Sequence, residues 1–224
     1  MKAPAWREQG VRVALLLLGL WIAHLGVALF LQTNLGSDPF NVFVQGLFRT
    51  FPQIAGVPMT HGRVHLLVSL VIMLILLVVD RRYVGIGTVL CMALGGPIID
   101  VYTAWLAPFL NESLPLPARV GLLAAGCVIL AFGMTIVIRS QAGTGPNDLV
   151  AVVLSEKSGK PFGPVRIGVD LTFVLVGFLL GGVVGAGTII CAFLVGPAAQ
   201  LFFPVSQKIC TFALERFAGL TPRA

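Results

Sequence analysis

Charged residues are scarce in this sequence. Asp, Glu, Lys and Arg make up 11% of the 224 residues, whereas soluble domains carry about 25%. Hydrophobic residues reach 57%, and the mean hydropathy is +0.98. Because so few charges cannot cover a water-exposed surface, the composition excludes an ordinary soluble domain and predicts an integral membrane protein.

The sequence also lacks the patterns of a disulfide framework, a metal centre and a catalytic site. Its four cysteines contain no CxxC pair and lie in apolar stretches, which predicts buried free thiols. In HGRVH, His61 and His65 stand four residues apart, but no third ligand accompanies them. We therefore predict no metal and no cofactor. No nucleophile stands with a base in a recognisable pattern, so we do not expect an enzyme.

Negative charge is the scarcer sign, with 9 Asp and Glu against 15 Lys and Arg. The basic residues stand mostly at the ends of apolar runs, as the positive-inside rule predicts for a membrane protein. No basic patch is interleaved with aromatic residues, so we expect contact with the lipid bilayer and not with nucleic acid. The first apolar run is too long for a signal peptide, which predicts a helix that stays in the protein.

Six apolar runs are long enough, or nearly so, to cross a bilayer, which takes about 20 residues. They cover residues 11–32, 64–79, 84–106, 118–138, 165–180 and 184–203. Two shorter amphipathic stretches, 39–50 and 146–155, predict helices. A helix of about 12 residues is roughly 18 Å long, too short for a hydrocarbon core of about 30 Å. The last segment, 205–217, mixes charged and apolar residues and predicts an interfacial helix.

Three pairs of stretches resemble each other. GRVHLLVSL, from Gly62, matches GPVRIGVDL, from Gly163. LGSDPFNVFVQGL, from Leu35, matches AGTGPNDLVAVVL, from Ala142. VGIGTVLCMALGGPIIDVY, from Val84, matches VGAGTIICAFLVGPAAQLF, from Val184. So many Gly, Pro and Thr identities in one order indicate an internal repeat.

The repeat predicts the fold class. We expect an all-α protein, a polytopic transmembrane helix bundle of two homologous repeats that together form one structural domain. Residues 1–110 form the first repeat and residues 111–224 the second, and each has a long helix, a short Pro-initiated half-helix and two further helices. Six spans with re-entrant short helices would make the repeats inverted, whereas eight spans would make them parallel. Both arrangements place the two termini in the cytoplasm. The total of Lys and Arg on the cytoplasmic side is also the same in both, so the positive-inside rule does not distinguish the two arrangements.

A polar break before a short helix, present in both halves, is typical of a transport site near the bilayer midplane. Asp38 is a natural N-cap for the helix that begins at Pro39. Asn41 and Gln45 follow on the same helix face. This face predicts a subsite for a cation or a proton near Asp38. The alternative is that Asp38 only caps a helix and that the face makes interhelical hydrogen bonds.

The break in the second half lacks an acid at the matching position. Gly145 stands there in place of Asp38, so the first N–H groups of the helix are free to hold an anion. We therefore predict a site with both signs, with its anion subsite in the second half. The candidate residues of that subsite are Gly143, Thr144 and Asn147. Asp148, which aligns with Asn41 one turn past the break, is a further candidate for substrate binding.

Three further charged residues stand in apolar surroundings. Arg166 and Asp170 are four residues apart at the start of an apolar helix, and Asp100 follows a Gly-Gly-Pro break. Because charge facing lipid is costly, we expect these residues to face the bundle. They contact the solute or relay a proton, or, as the alternative, the Arg–Asp pair only holds a helix in register.

The doubled pattern resembles the bacterial YczE/YitT-like integral membrane proteins. The resemblance rests on LGSDPFN with VGIGT…GPIID and on AGTGPND with VGAGT…GPAAQLF, and it extends from about Gly19 to Pro204. It implies a multi-pass protein of the bacterial cytoplasmic membrane and transport as the expected function. It implies no catalytic residue and no substrate. Family members commonly carry an Asp where this chain has Asn41, so Asp38 would have to replace that acid.

We predict a secondary transporter of a small polar or charged solute, which binds at the interface of the repeats. Coupling to a proton or an ion would fit the acidic residues, and a homodimer would fit the glycine-lined helix faces. The alternative is a membrane scaffold or regulatory protein that acts through a protein partner. In that case the polar breaks would serve packing only.

Overall fold

The computed structural model describes residues 5–54, 56–110 and 114–219. These residues form eight α-helices: α1 (Ala5–Thr33), α2 (Pro39–Thr50), α3 (His61–Asp80), α4 (Ile86–Leu106), α5 (Leu116–Ser140), α6 (Pro146–Ser158), α7 (Phe162–Leu179) and α8 (Ala186–Ala218). A small antiparallel hairpin of β1 (Gln53–Ile54) and β2 (Val57–Pro58) joins α2 to α3. A 3-10 turn at Arg81–Tyr83 follows α3. The predicted helical class is confirmed, and the hairpin is the one element outside it in the described ranges.

Six helices in the described residues are long and apolar enough to cross a membrane. They are α1, α3, α4, α5, α7 and α8, and they correspond to the six predicted runs. The short helices α2 and α6 begin at Pro39 and Pro146, as predicted. A proline suits the first turn of a helix because its missing N–H has no partner there.

The segment 205–217, for which the sequence predicts an interfacial helix, is helical but is not separate from the preceding span. It continues α8, which runs from Ala186 to Ala218 without interruption. Ser206 and Cys210 are buried in this segment. Ser206 shares a hydrogen bond of 2.7 Å with Thr135 of α5. The mixed composition therefore reflects a helix with one face packed on its neighbours.

Glycines set the distance between α1 and α5, which pack antiparallel. A Cβ atom added to Gly19 would fall 2.7 Å from the carbonyl oxygen of Gly133. A Cβ atom added to Gly26 would fall 2.5 Å from the carbonyl oxygen of Gly126. Both distances are too short for real atoms, so the backbones touch at two places where no side chain fits.

Contacts between helix termini define two ends of the bundle. At one end, Nε of Arg119 in α5 donates to the carbonyl oxygen of Thr33 in α1 (2.8 Å). At the other end, Nη1 of Arg12 in α1 donates to the carbonyl oxygen of Ser140 in α5 (3.1 Å). The helix α2 lies at the first end and α6 at the second. We call these the α2 end and the α6 end.

Each break before a short helix docks on the first turn of a distant long helix. The N–H of Gly187 in α8 donates to the carbonyl oxygen of Leu35 (2.8 Å). The N–H of Gly87 in α4 donates to the carbonyl oxygen of Ala142 (3.1 Å). The residues after Leu35 and Ala142 are glycines with φ of +114° and +143°. Because L side chains rarely adopt these angles, glycine makes both turns possible.

We expect Gly26→Leu to lower the melting temperature of the purified protein in detergent, because the added side chain would push α1 away from α5. Overpacking of this kind costs about 1–3 kcal/mol. Gly121→Leu is the matched control, since a Cβ atom at Gly121 in α5 meets nothing within 4 Å. Equal melting temperatures for the two variants would contradict the close crossing.

Candidate functional site

A cavity of about 830 Å³ is lined by residues from all eight helices. Small-molecule sites commonly measure about 300–1,000 Å³ and combine an apolar wall with a few polar groups. Most of this wall is apolar. Six of the residues predicted for the site line it, namely Asp38, Asn41, Asn147, Asp148, Arg166 and Asp170.

Four predicted positions lie outside this lining. They are Gln45, Asp100, Gly143 and Thr144. Gln45 accepts a hydrogen bond from the N–H of Val183 (2.8 Å), and Asp100 accepts one from the N–H of Gly62 (2.9 Å). Gly143 and Thr144 belong to the link between α5 and α6. In this structure these four residues join parts of the chain to each other and do not face the cavity.

Asp38 caps α2, as the sequence predicts. Its carboxylate accepts from the N–H of Asn41 (3.3 Å) and from Nδ2 of Asn41 (2.7 Å). Because this amide nitrogen donates to Asp38, Oδ1 of Asn41 is the acceptor for Nε2 of His61 at 2.9 Å. Among the described residues, no Lys or Arg forms an ion pair with Asp38. The carboxylate faces the cavity with its charge balanced only by hydrogen bonds.

Arg166 of α7 pairs with two carboxylates, Asp170 of the same helix and Asp148 of α6, and the second pair joins the two helices. Its Nη1 lies 2.9 Å from Oδ1 of Asp148, and its Nε lies 2.9 Å from Oδ2 of Asp170. The Arg166–Asp170 pair is thus present, and Asp148 joins it, a contact that sequence spacing does not reveal. Asp148 also stands in the first turn of α6. Its negative charge already complements the positive end of that helix.

All three histidines of the sequence gather beside this site. His24 of α1 and His65 of α3 line the cavity, with ring centroids 5.8 Å apart and the rings edge to face. Nδ1 of His24 lies 2.8 Å from the carbonyl oxygen of Leu20. Since a carbonyl oxygen only accepts, Nδ1 carries the hydrogen, and Nε2 of the neutral ring is left as an acceptor.

Two buried polar atoms of α3 have no hydrogen-bond partner in the described protein. They are Nδ1 of His65 and Oγ of Ser69, on side chains that are 7% and 1% exposed. Both residues line the cavity. Because buried polar groups are nearly always paired, these two atoms indicate where a ligand or water completes the hydrogen bonding. The sequence analysis missed them, although they align with Arg166 and Asp170.

The cavity wall is closed between α3 and α4 and open between α7 and α8. Gly62 of α3 lies so close to the carbonyl oxygen of Gly96 in α4 that no Cβ atom fits between them. The residues that align with this pair are Gly163 and Gly196. A Cβ atom at either of them would have nothing within 4 Å. The cavity therefore has one tightly packed side and one open side.

Replacing Arg166 by Gln would leave Asp148 and Asp170 without a cation. We expect a lower melting temperature, corresponding to about 1 kcal/mol, because water partly screens these half-exposed groups. The triple variant D148N/R166Q/D170N removes all three charges and should recover most of the loss. If Arg166→Gln melts like the wild type, the ion pairs do not stabilise the contact between α6 and α7.

Comparison with known proteins gives a family and bacterial relatives. The profile of the "Family of unknown function (DUF6198)" matches residues 10–204. The "Uncharacterized membrane protein YczE" of Bacillus subtilis is 28% identical over 199 residues, which cover 88% of each chain. An "Uncharacterized protein" of Haemophilus influenzae is 29% identical over 212 residues, covering 94% of this chain and 92% of its own. No solved structure matches. The resemblance to YczE-like bacterial membrane proteins is thereby confirmed.

Proposed function

The chain belongs to the family of unknown function DUF6198, and we propose that it is a secondary transporter of a small polar or charged solute. The cavity is the observation that carries this proposal. It has the size of a small-molecule site, and acidic, basic and amide side chains face it. Ionisable residues among membrane helices typically belong to solute or ion pathways. The proposal assigns no covalent chemistry to the chain.

The crossing of α1 and α5 supports inverted repeats. Gly19 and Gly126 occupy matching positions in the aligned halves, and so do Gly26 and Gly133. Gly19 packs on Gly133, and Gly26 packs on Gly126. Each position therefore meets the other position of the opposite half, which is the contact pattern of two units related by a two-fold axis. Inverted repeats of this kind are common in secondary transporters.

The docking of the two breaks supports the same symmetry. Leu35 bonds to Gly187, and Ala142 bonds to Gly87, so the two contacts exchange when the halves are exchanged. The antiparallel packing of α1 and α5 also bears on the number of spans. An even number of membrane crossings must lie between two antiparallel helices, and the six-span arrangement with re-entrant α2 and α6 has two, α3 and α4. In the eight-span arrangement they would be parallel.

The positive-inside rule assigns the α6 end to the cytoplasm. Arg82 and Lys157 lie at that end, and both pair with Asp80. Gly163, on the open side of the cavity, stands near the start of α7 at the same end. We therefore assign the structure to an inward-facing state, closed on the outside by α3 and α4. Alternating access would close α7 on α8 and open α3 from α4.

Cysteine labelling tests the span arrangement. In right-side-out membrane vesicles, Gln53→Cys in the hairpin should react with a membrane-impermeant maleimide, because six spans place the hairpin outside. Arg82→Cys should react only after the membrane is permeabilised. The eight-span arrangement predicts the reverse for both positions. The four native cysteines are buried, so the wild-type protein supplies the background.

Transport is tested with the purified protein. Amino acids, organic acids, amines and inorganic anions are first screened for a rise in melting temperature, and each stabilising compound is then tested for counterflow into proteoliposomes. We expect counterflow with the wild type and a strong reduction with Asp38→Asn, which removes a cavity charge but keeps a capping oxygen. The scaffold alternative predicts no stabilising compound and a protein partner that co-purifies from membranes.

A further inference from the structure

We propose that the cavity binds a small organic cation with an ammonium group, held between Asp38 and Asp170. This inference rests on the proposed transport function and names the substrate class of the same cavity. Charge, hydrogen-bonding capacity and the apolar wall support it independently.

The charge on the cavity wall favours a cation. Asp38, Asp148 and Asp170 face the cavity, and among its described lining residues Arg166 is the single Lys or Arg. With neutral histidines, the formal charge is therefore −2. Arg166 is already held by Asp148 and Asp170, whereas Asp38 pairs with no Lys or Arg of the described residues. A cation beside Asp38 and Asp170, which both line the cavity, would be attracted by the net negative charge of the wall.

Hydrogen-bonding capacity points to the same class of ligand. Oγ of Ser69 and Nδ1 of His65 are buried and have no partner in the described protein. The hydroxyl can accept, and so can Nδ1 in the tautomer that carries its hydrogen on Nε2. Nε2 of His24 adds a further acceptor, because Nδ1 of that ring is bonded to a carbonyl oxygen. An ammonium group donates three hydrogen bonds and accepts none, so it complements this wall.

The same contacts weigh against an anion. Asp38 caps α2, and Asp148 stands in the first turn of α6. Carboxylates therefore already complement the positive ends of both short helices. Arg166 already pairs with two acidic residues, so its positive charge is balanced and does not favour an anionic ligand. We therefore retain the cation subsite that the sequence predicts near Asp38, and we do not retain the predicted anion subsite at residues 143–147.

The apolar part of the wall indicates an organic cation. The buried side chains of Leu20, Val27 and Phe40 line the same cavity as the acidic groups. Alkyl groups gain free energy when such a wall removes them from water, and aromatic faces attract cations. A small inorganic ion would gain nothing from these side chains. An alkylammonium ion uses both the carboxylates and the apolar wall.

The test compares n-butylammonium, n-butyrate and n-butanol at equal concentration and ionic strength. The three compounds share an alkyl chain and differ in the charge of the head group. We expect n-butylammonium to raise the melting temperature of the full chain in detergent, and the other two to leave it nearly unchanged. Asp38→Asn should weaken n-butylammonium binding about tenfold, the size expected for the loss of one charged hydrogen-bond acceptor. Glu215→Gln is the control, because Glu215 is an exposed acid away from the cavity.

Stabilisation by n-butyrate, or no stabilisation of the folded protein by any of the three, would overturn the cation assignment. So would n-butylammonium binding that is unchanged in Asp38→Asn and in Asp170→Asn. Counterflow separates this inference from the transport proposal. Binding of n-butylammonium without counterflow would keep the ligand class and remove transport, whereas counterflow of n-butyrate would keep transport and remove the cation.

Discussion

The close crossing of α1 and α5 is the constraint on which the rest of the bundle depends. Lipid chains are as apolar as the helices, so membrane helices associate mainly through close packing, which small residues permit. Gly19 and Gly26 meet Gly133 and Gly126 with backbone against backbone. This contact fixes the antiparallel direction of the two helices. It also places the breaks that follow α1 and α5 at opposite ends of the bundle, so that each break reaches the first turn of a helix from the other half.

The acidic residues at the starts of the short helices face the interior of this arrangement, because a charge that faced lipid would cost several kcal/mol. Asp38 and Asp148 stand at the starts of α2 and α6, and both face the same cavity. The two sides of the cavity differ in how far their charges are satisfied. Arg166 balances the acids of α6 and α7, whereas Asp38 has only hydrogen bonds from neutral groups. The same cavity wall contains Nδ1 of His65 and Oγ of Ser69, which have no hydrogen-bond partner among the described residues.

The helix pairs α3–α4 and α7–α8 contain matching stretches of sequence but differ in their contacts. Asp100 of α4 accepts from the first turn of α3 and holds the two helices together where Gly62 meets Gly96. Gln200 stands at the matching position of α8 and is exposed. A neutral amide makes weaker hydrogen bonds to a helix N-terminus than a carboxylate does. The exchange of one acid for one amide therefore goes with the open side of the cavity, where Gly163 and Gly196 make no close contact.

The sequence by itself determined the membrane class, the six long apolar helices, the two short helices that begin at proline, and the cap at Asp38. These features depend on composition, run length and local spacing, which are properties of the sequence and do not require long-range contacts. The tertiary structure alone decided the other features. Asp148 reaches Arg166, and His24 meets His65, only because helices far apart in sequence pack together. The segment 205–217 continues α8, and α1 and α5 cover one of its faces. A mixed composition fits a helix face packed on protein as well as one on a membrane surface, so the tertiary contacts decided this feature.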